Sequence, residues 1–309
     1  MKRNRNGSIR SILLQLLVSL TFLSCASRGA IPAEEFFAIG MAYYDLGNYA
    51  EAERWLIRAR QSDRTIVASD YNLGRIAFET GRFTEAARYF EGILTRDSSN
   101  IMALRAAAYS RIRSGDFAEA ETHYSRVLAL VPESADDGYN HALVLYGMNR
   151  FAESEAVLNR YPHSLNENSA SVLLLARAQK AQEKVEAVDS YAKWLSMTSE
   201  PGVEEICEYA QALEAGGFFA RALEQYQAAV NALAEDADNE KRASIRYDLA
   251  RLFLTADSAN AQGMRELETA ITEGFSDISA LEILQRDLRV RSENRDEIRR
   301  IIDQLQSRR

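Results

Sequence analysis

Apolar residues recur every three or four positions in short segments along residues 33–276, with polar residues between them. This spacing places the apolar side chains on one face of an α-helix. Each segment is about a dozen residues long, and turn-forming residues such as Gly47, Gly81 and Gly115 separate some of them. Only four Pro residues occur among 309, which suits a helical chain. The pattern predicts an all-α protein.

The helical segments repeat with a period of 34 residues. Small residues recur in the first helix of each unit, helix A, at Gly40, Gly74, Ala108, Ala142, Ala176 and Ala210. They recur in the second helix, helix B, at Ala52, Ala86, Ala120, Ser154, Ala187 and Ala222. Two antiparallel helices pack closely only where their side chains are small, so these positions predict the crossing of helix A and helix B.

The turn between the two helices has its own signature. Gly47, Gly81, Gly115 and Asn149 occupy it in the first four units, and Gly and Asn are the residues that best adopt a left-handed helix C-terminus. Large residues then follow the turn, at Tyr49, Phe83, Phe117, Phe151 and Phe219. In the fifth unit Val185 replaces the aromatic residue, and we expect the loop there to be one residue short.

These positions resemble the tetratricopeptide repeat. The resemblance implies a right-handed superhelical α-solenoid of about seven helix hairpins with capping helices at its C-terminus. We expect four regular units over 33–168, three divergent units over 169–276 and the capping helices over 277–309. In the last helix the apolar positions form one stripe opposite charged residues, at Ile298, Ile301, Ile302 and Leu305. A solenoid needs such a capping helix, with a polar outer face, to keep its last unit soluble.

Pro162 interrupts the fourth unit directly after Tyr161, so we expect helix B to end there. Residues 163–168 then form a longer polar loop. This loop is either a flexible joint between the regular and the divergent units or an elongated turn with no mechanical role.

The N-terminus has the layout of an export signal. Basic residues precede an apolar stretch over 12–23, and Ser24 stands directly before Cys25. Residues 1–24 resemble a bacterial lipoprotein signal, which implies that Cys25 becomes the acylated N-terminus, followed by a tether over 25–32. The alternatives are an ordinary cleaved signal and an uncleaved anchor, although about 12 apolar residues are too few to span a bilayer. Ala26 after the cysteine favours, by resemblance, the outer membrane facing the periplasm.

Charge limits the partners. The formal charge is −8, and loss of the basic signal residues Lys2, Arg3, Arg5 and Arg10 changes it to −12. A chain this acidic is not expected to bind nucleic acid. The acyl chains, rather than charge, would then hold it at a membrane.

Signatures of catalysis are missing from the sequence. It has no Gly-rich phosphate loop, nucleophile elbow or pair of metal-spaced cysteines, so we expect no enzyme, no cofactor and no metal site. The three histidines, His123, His141 and His163, fall in different positions of the repeat and are not expected to converge. Cys207 has no partner cysteine once Cys25 is acylated, and we expect a half-buried, inert thiol.

In tetratricopeptide solenoids, helix A lines the concave side, and the resemblance places a set of residues of this chain in that groove. They are Phe37, Met41, Tyr44, Tyr71, Asn72, Arg75, Phe78, Arg105, Tyr109, Tyr139, Asn140, Tyr146 and Arg177. Aromatic and arginine side chains are typical of binding hot spots. The alternative is that some of these tyrosines are core residues with a solvated hydroxyl.

Taken together, the sequence predicts a membrane-anchored adaptor that binds a peptide or helical segment of envelope proteins. A ligand-binding accessory lipoprotein of a solute transporter is the alternative. A pocket deep enough to enclose a ligand would favour the second, and an open groove the first.

Overall fold

The computed structural model describes residues 32–233, 239–256 and 260–307, and every regular element in these residues is an α-helix. The predicted signal, Cys25 and nearly all of the tether lie outside them. The helices are α1 (Ala33–Asp45), α2 (Tyr49–Ser62), α3 (Val67–Glu79), α4 (Phe83–Leu94), α5 (Ile101–Arg113), α6 (Phe117–Leu130), α7 (Ala135–Gly147), α8 (Phe151–Leu158), α9 (Ser164–Glu167), α10 (Ser169–Ala181), α11 (Ala187–Met197), α12 (Val203–Ala215), α13 (Phe219–Ala232), α14 (Asn239–Thr255), α15 (Asn260–Thr272), α16 (Ile278–Arg286) and α17 (Ser292–Ser307).

The chain divides into two compact units, with the boundary between Pro132 and Glu133. The first unit contains α1 to α6, and the second contains α7 to α17. Within each unit, consecutive helices pack as hairpins, and neighbouring hairpins stack on one another. Each unit is therefore a helical-repeat solenoid, which confirms the fold class that the sequence predicts.

The small residues lie where helix A crosses helix B. Ala52, Ala86 and Ala108 are completely buried. A Cβ atom added to Gly74 would lie 2.7 Å from the ring of Phe90, closer than real contacts allow. In the fourth hairpin the Ser154 hydroxyl donates a hydrogen bond of 2.8 Å to the carbonyl oxygen of Ala142. The side chains are small because the two helix backbones, or one backbone and a large ring, lie too close together to leave room for a larger side chain.

Left-handed turns recur at the predicted places. Gly47, Gly81 and Gly115 have φ angles of 71°, 77° and 81°, and Asn149 has a φ angle of 58°. The series continues at Glu183, with a φ angle of 57°, which lies 34 residues after Asn149. The prediction of a shortened loop in the fifth hairpin is wrong.

The fifth hairpin keeps its turn in register but starts its second helix late. Helix α10 ends at Ala181 and α11 begins at Ala187. Val185 is 57% exposed, whereas Ala187 and Val188 are both buried. Because Val185 does not fill the space that an aromatic residue fills elsewhere, the helix starts only at the next residues that pack against the core.

Helix α8 ends at Leu158, three residues before the end expected at Tyr161. The Tyr161 side chain is buried and packs against Gly138, where a Cβ atom would overlap its ring. The segment after Pro162 contains the short helix Ser164–Glu167. Helix B ends early because Tyr161 is held against helix A, a contact that Gly138 makes possible.

The C-terminal helix pair closes the second unit as predicted. Ile298 and Ile302 of α17 are buried in one cluster with Leu281 and Leu284 of α16, and Ile301 and Leu305 pack against it. The hydroxyl of Tyr247 donates a hydrogen bond of 2.8 Å to the carbonyl oxygen of Ala280. This pair therefore covers the apolar side of the preceding hairpin.

Two glycine-to-alanine substitutions test the helix crossing. Gly74→Ala should lower the free energy of unfolding by about 1–3 kcal/mol, because the added methyl group displaces Phe90 from a packed core. The matched control is Gly92→Ala in α4, where an added Cβ meets nothing within 4 Å. That substitution should raise the free energy of unfolding by about 0.5–1 kcal/mol. Denaturant unfolding of both variants measures the difference, and equal effects of the two would contradict the crossing.

Candidate functional site

The candidate site in the first unit lies on the exposed face of helices α1, α3 and α5. Tyr44, Tyr71, Arg75 and Phe78 are each partly exposed there. Tyr109 of α5 is 49% exposed. The repeat register places these residues on one face because they sit at corresponding positions of successive A helices.

Four of the predicted groove residues line one pocket of about 150 Å³. Its lining consists of Tyr71, Arg75, Phe78, Glu79, Phe90, Ala106, Tyr109 and Ser110. Phe78 and Tyr109 stack at a centroid distance of 5.1 Å, and the Tyr71 ring meets the Phe90 ring edge to face at 5.3 Å. The pocket therefore has aromatic walls, and an arginine and a glutamate lie among its lining residues. We refer to it as the aromatic pocket.

Arg75 is held in place at the pocket wall. Its guanidinium carbon lies 4.5 Å from the centre of the Tyr44 ring, a cation–π distance. Its Nη1 donates a hydrogen bond of 3.0 Å to Oδ1 of Asn72, whose own Nδ2 donates to the carbonyl oxygen of Ala68 at 2.8 Å. Asn72 is buried, so its amide orients Arg75 from behind.

Two side chains of this face were missed by sequence reasoning. Met102, which lies on α5, is 62% exposed. The guanidinium of Arg113 lies 4.4 Å from the centre of the Phe83 ring and 5.6 Å from that of Phe78. Both lie three or four residues from Arg105 or Tyr109 along α5, so helical spacing within α5, rather than the 34-residue period, could have found them. Arg105 is exposed on the same helix.

The predicted residues of α1 do not line the aromatic pocket. Phe37 and Tyr44 contact the core cluster of Ala52, Leu56, Leu73 and Ile76. Met41 is partly buried as well. These side chains contribute area at the edge of the face rather than an open pocket.

In the second unit, the predicted residues have partners within the chain. Tyr139 and Tyr146 pack against the cluster that contains Ala142 and Leu158. The Arg177 guanidinium pairs with Glu205 at 2.9 Å and with Glu208 at 2.8 Å. Asn140 is partly buried. The carboxylates that Arg177 holds are therefore those of its own unit.

The histidines lie in separate settings, as predicted. His123 is buried, with its Nε2 3.4 Å from Oε1 of Glu91, and His141 is buried on α7. His163 is exposed and lies 3.3 Å from Glu167. Among the described residues, no group of three or more His, Cys, Asp or Glu side chains is arranged to hold a metal ion. None of the described helices has the length and apolar character that crossing a membrane requires.

Cys207 is half-buried on α12. Burial, together with the carboxylate of Asp248, raises the pKa of its thiol to about 11. Since the thiolate is the nucleophile, this cysteine is almost entirely in the unreactive thiol form at neutral pH.

Comparison with known families identifies the repeat. Residues 37–101 and 105–168 match the family model of the tetratricopeptide repeat. A protein of Treponema pallidum (strain Nichols), described as an uncharacterized lipoprotein, is 22% identical over 162 residues. The match covers 52% of this chain and 83% of that protein.

Solved structures share the fold. A tetratricopeptide repeat protein from Parabacteroides merdae superimposes with a TM-score of 0.57 at 18% identity, covering 82% of this chain and 97% of that one. YrrB, a repeat protein with an unusual peptide-binding site, gives a TM-score of 0.51 at 14% identity over 59% of this chain and 93% of its own. MamA from Desulfovibrio magneticus gives a TM-score of 0.52 at 17% identity, over 55% of this chain and 97% of its own.

The raised pKa of Cys207 has a measurable consequence. In a Cys25→Ser background, the rate of alkylation of Cys207 should be low at pH 8 and should keep rising up to about pH 11. A small reference thiol should instead reach its plateau above its ordinary pKa, about 8.5. Stopped-flow measurement with a thiol reagent checks this. A plateau for Cys207 near that of the reference thiol would contradict the burial of its sulfur.

Proposed function

We propose that this chain, which matches the tetratricopeptide repeat over residues 37–101 and 105–168, is a lipid-anchored interaction scaffold of the bacterial cell envelope. It docks a segment of a partner protein on the helix A face of its first unit. The aromatic pocket is the observation that carries this proposal. Repeats of this family imply protein partners, and the proposed place and chemistry of docking rest on the geometry of that pocket.

The size of the aromatic pocket favours a protein partner over an enclosed small molecule. Ligand pockets usually measure about 300–1,000 Å³, whereas this pocket measures about 150 Å³. A space of this size suits one apolar side chain. Tyr109 and Met102 add exposed area on the same helix, so a longer segment can lie over the pocket once its anchor is seated.

The charges beside the pocket indicate which residues flank the partner's apolar side chain. Arg75 and Glu79 line the pocket, and Arg113 lies against Phe78 and Phe83 at its edge, so the two arginines outnumber the one carboxylate. Each guanidinium keeps donors that a carboxylate can accept. The preferred partner segment is therefore amphipathic, with one large apolar residue followed or preceded by acidic residues.

The scaffold acts by holding partners together rather than by chemistry. Tethering raises the effective concentration of a bound partner without accelerating any bond change. The histidines lie on different elements, and burial raises the pKa of Cys207, which agrees with a non-catalytic role.

Cys25 provides the membrane anchor in this proposal. The Treponema pallidum relative is described as a lipoprotein, and the sequence before Cys25 resembles a lipoprotein signal. Multiple acyl chains at one cysteine hold a protein at a bilayer durably, because a single chain binds only marginally. The repeats would then face the periplasm from the outer membrane.

Substitution of Tyr109 tests the docking face. A photo-crosslinking residue in place of Tyr109 should capture a specific partner in cells, and Tyr109→Ala should then weaken binding of that partner about tenfold or more, as expected for an aromatic hot spot. Binding of the purified partner is measured by calorimetry. Thermal unfolding should change little, because the Tyr109 side chain is 49% exposed.

Leu130→Ala is the matched control. Leu130 is 45% exposed in the same unit, but it lies on helix B and outside the aromatic pocket. The Leu130→Ala variant should bind the partner with the same affinity as the unchanged protein. Equal loss of binding in both variants, or none in either, would refute docking at the pocket.

The two cysteines give an internally controlled test of the anchor. In cells fed a labelled fatty acid, the unchanged protein and Cys207→Ser should incorporate the label, whereas Cys25→Ser should not. Mass spectrometry of the mature protein should show an N-terminus at position 25. A labelled Cys25→Ser variant, or an unlabelled protein with an intact N-terminus, would rule out acylation at this site.

A further inference from the structure

A second, larger pocket lies in the first unit, away from the helix A face. It measures about 370 Å³ and is lined by Ile57, Arg60, Gln61, Arg64 and Arg96. Helix α2 contributes the first three residues, and the turns that follow α2 and α4 contribute the two others. It shares no lining residue with the aromatic pocket. We refer to it as the arginine pocket.

A buried carboxylate fixes two of the arginines. Asp70 is buried, and its Oδ1 accepts from Nε of Arg60 at 2.9 Å while its Oδ2 lies 3.3 Å from Nη1 of Arg96. The same Nη1 donates to the carbonyl oxygen of Arg64 at 2.9 Å. The guanidinium groups are therefore held at the pocket wall before any ligand arrives, which reduces the entropy lost on binding.

The lining contributes three guanidinium groups, and Asp70 pairs with two of them, those of Arg60 and Arg96. The nearest carboxylates in sequence remain ionised and reduce the net positive charge around the pocket, but within the described residues they form no ion pair with its arginines. Asp63 accepts from the backbone nitrogen and the hydroxyl of Thr65, and Asp97 accepts from the backbone nitrogen and the hydroxyl of Ser99.

The donors of Arg64 and Gln61 stay available. Over the described ranges, neither the Arg64 guanidinium nor the Gln61 amide has a hydrogen-bond partner or an ion pair within the chain. A pocket wall with fixed charges and unused donors is suited to bind an anion, because guanidinium groups bind phosphate and carboxylate oxygens in a fork.

We propose that the arginine pocket binds the phosphate group of a small organic phosphate. A phosphate monoester carries up to two negative charges at pH 7 and three strong acceptor oxygens, so it can accept from the Arg64 guanidinium and the Gln61 amide together. The volume lies within the range of small-molecule sites. Ile57 is the one apolar side chain of the lining, so the pocket offers no aromatic face for a base and no apolar wall for an acyl chain.

Calorimetric titration of the full-length protein with glycerol 3-phosphate tests this proposal. Binding should be saturable, and Arg64→Gln should weaken it about tenfold or more, as expected when one charged hydrogen-bond partner is lost. Thermal unfolding should be unchanged by Arg64→Gln, because this side chain pairs with nothing in the described chain. Raising the salt concentration should weaken binding as well, because the arginines are partly exposed.

Arg88→Gln is the matched control. Arg88 is an exposed arginine of α4 that does not line the pocket, so its loss should leave the affinity unchanged. Equal weakening by both variants would show a nonspecific charge effect and overturn the proposal, as would the absence of saturable binding.

Two further probes separate the sources of negative charge. Succinate carries two carboxylates and should bind more weakly than glycerol 3-phosphate. Vesicles that contain anionic phospholipid should show no dependence on Arg64. If succinate binds more tightly than glycerol 3-phosphate, the ligand is a dicarboxylate and the proposal is overturned. If vesicles bind and Arg64→Gln abolishes that binding, the ligand is a lipid surface and the proposal is likewise overturned.

Discussion

The close approach of helix A to helix B is the constraint on which the rest of this structure depends. At Gly74 the space that a Cβ atom would need is filled by the Phe90 ring, and at Ala142 the neighbouring helix comes near enough for a hydrogen bond from Ser154. Each hairpin has little room for a larger side chain at its crossing. Because the crossing recurs every 34 residues, the exposed faces of the A helices recur with it, and residues such as Arg75 and Tyr109 share one surface.

The sequence was sufficient to predict features set by local geometry. Gly47 and Asn149 mark left-handed turns because few other residues adopt that conformation easily. The sequence was not sufficient where a distant residue decides the outcome. Tyr161 leaves helix B because Gly138, more than 20 residues earlier, provides a surface for its ring, and no spacing rule contains that contact.

The same limit applies to the candidate sites. Repeat register placed Tyr71, Arg75, Phe78 and Tyr109 on one face, and the aromatic pocket brings these four together. The repeat register could not show that Arg177 forms ion pairs with Glu205 and Glu208, because such pairing depends on side-chain geometry between hairpins. The arginine pocket was missed altogether, since its residues lie outside the repeat positions that define the family.

Asp70 has a consequence for how the repeats find their neighbours during folding. Hairpins with the same small residues at their crossings could stack in the wrong order, a known failure of repeat proteins. Arg60 comes from the hairpin before Asp70 and Arg96 from the end of its own hairpin. A stack in which another hairpin replaced the first would leave this carboxylate without Arg60 and only partly neutralised, and burying an underpaired charge is costly. The ion pair between Arg60 and Asp70 thus acts as a positional label for the first junction.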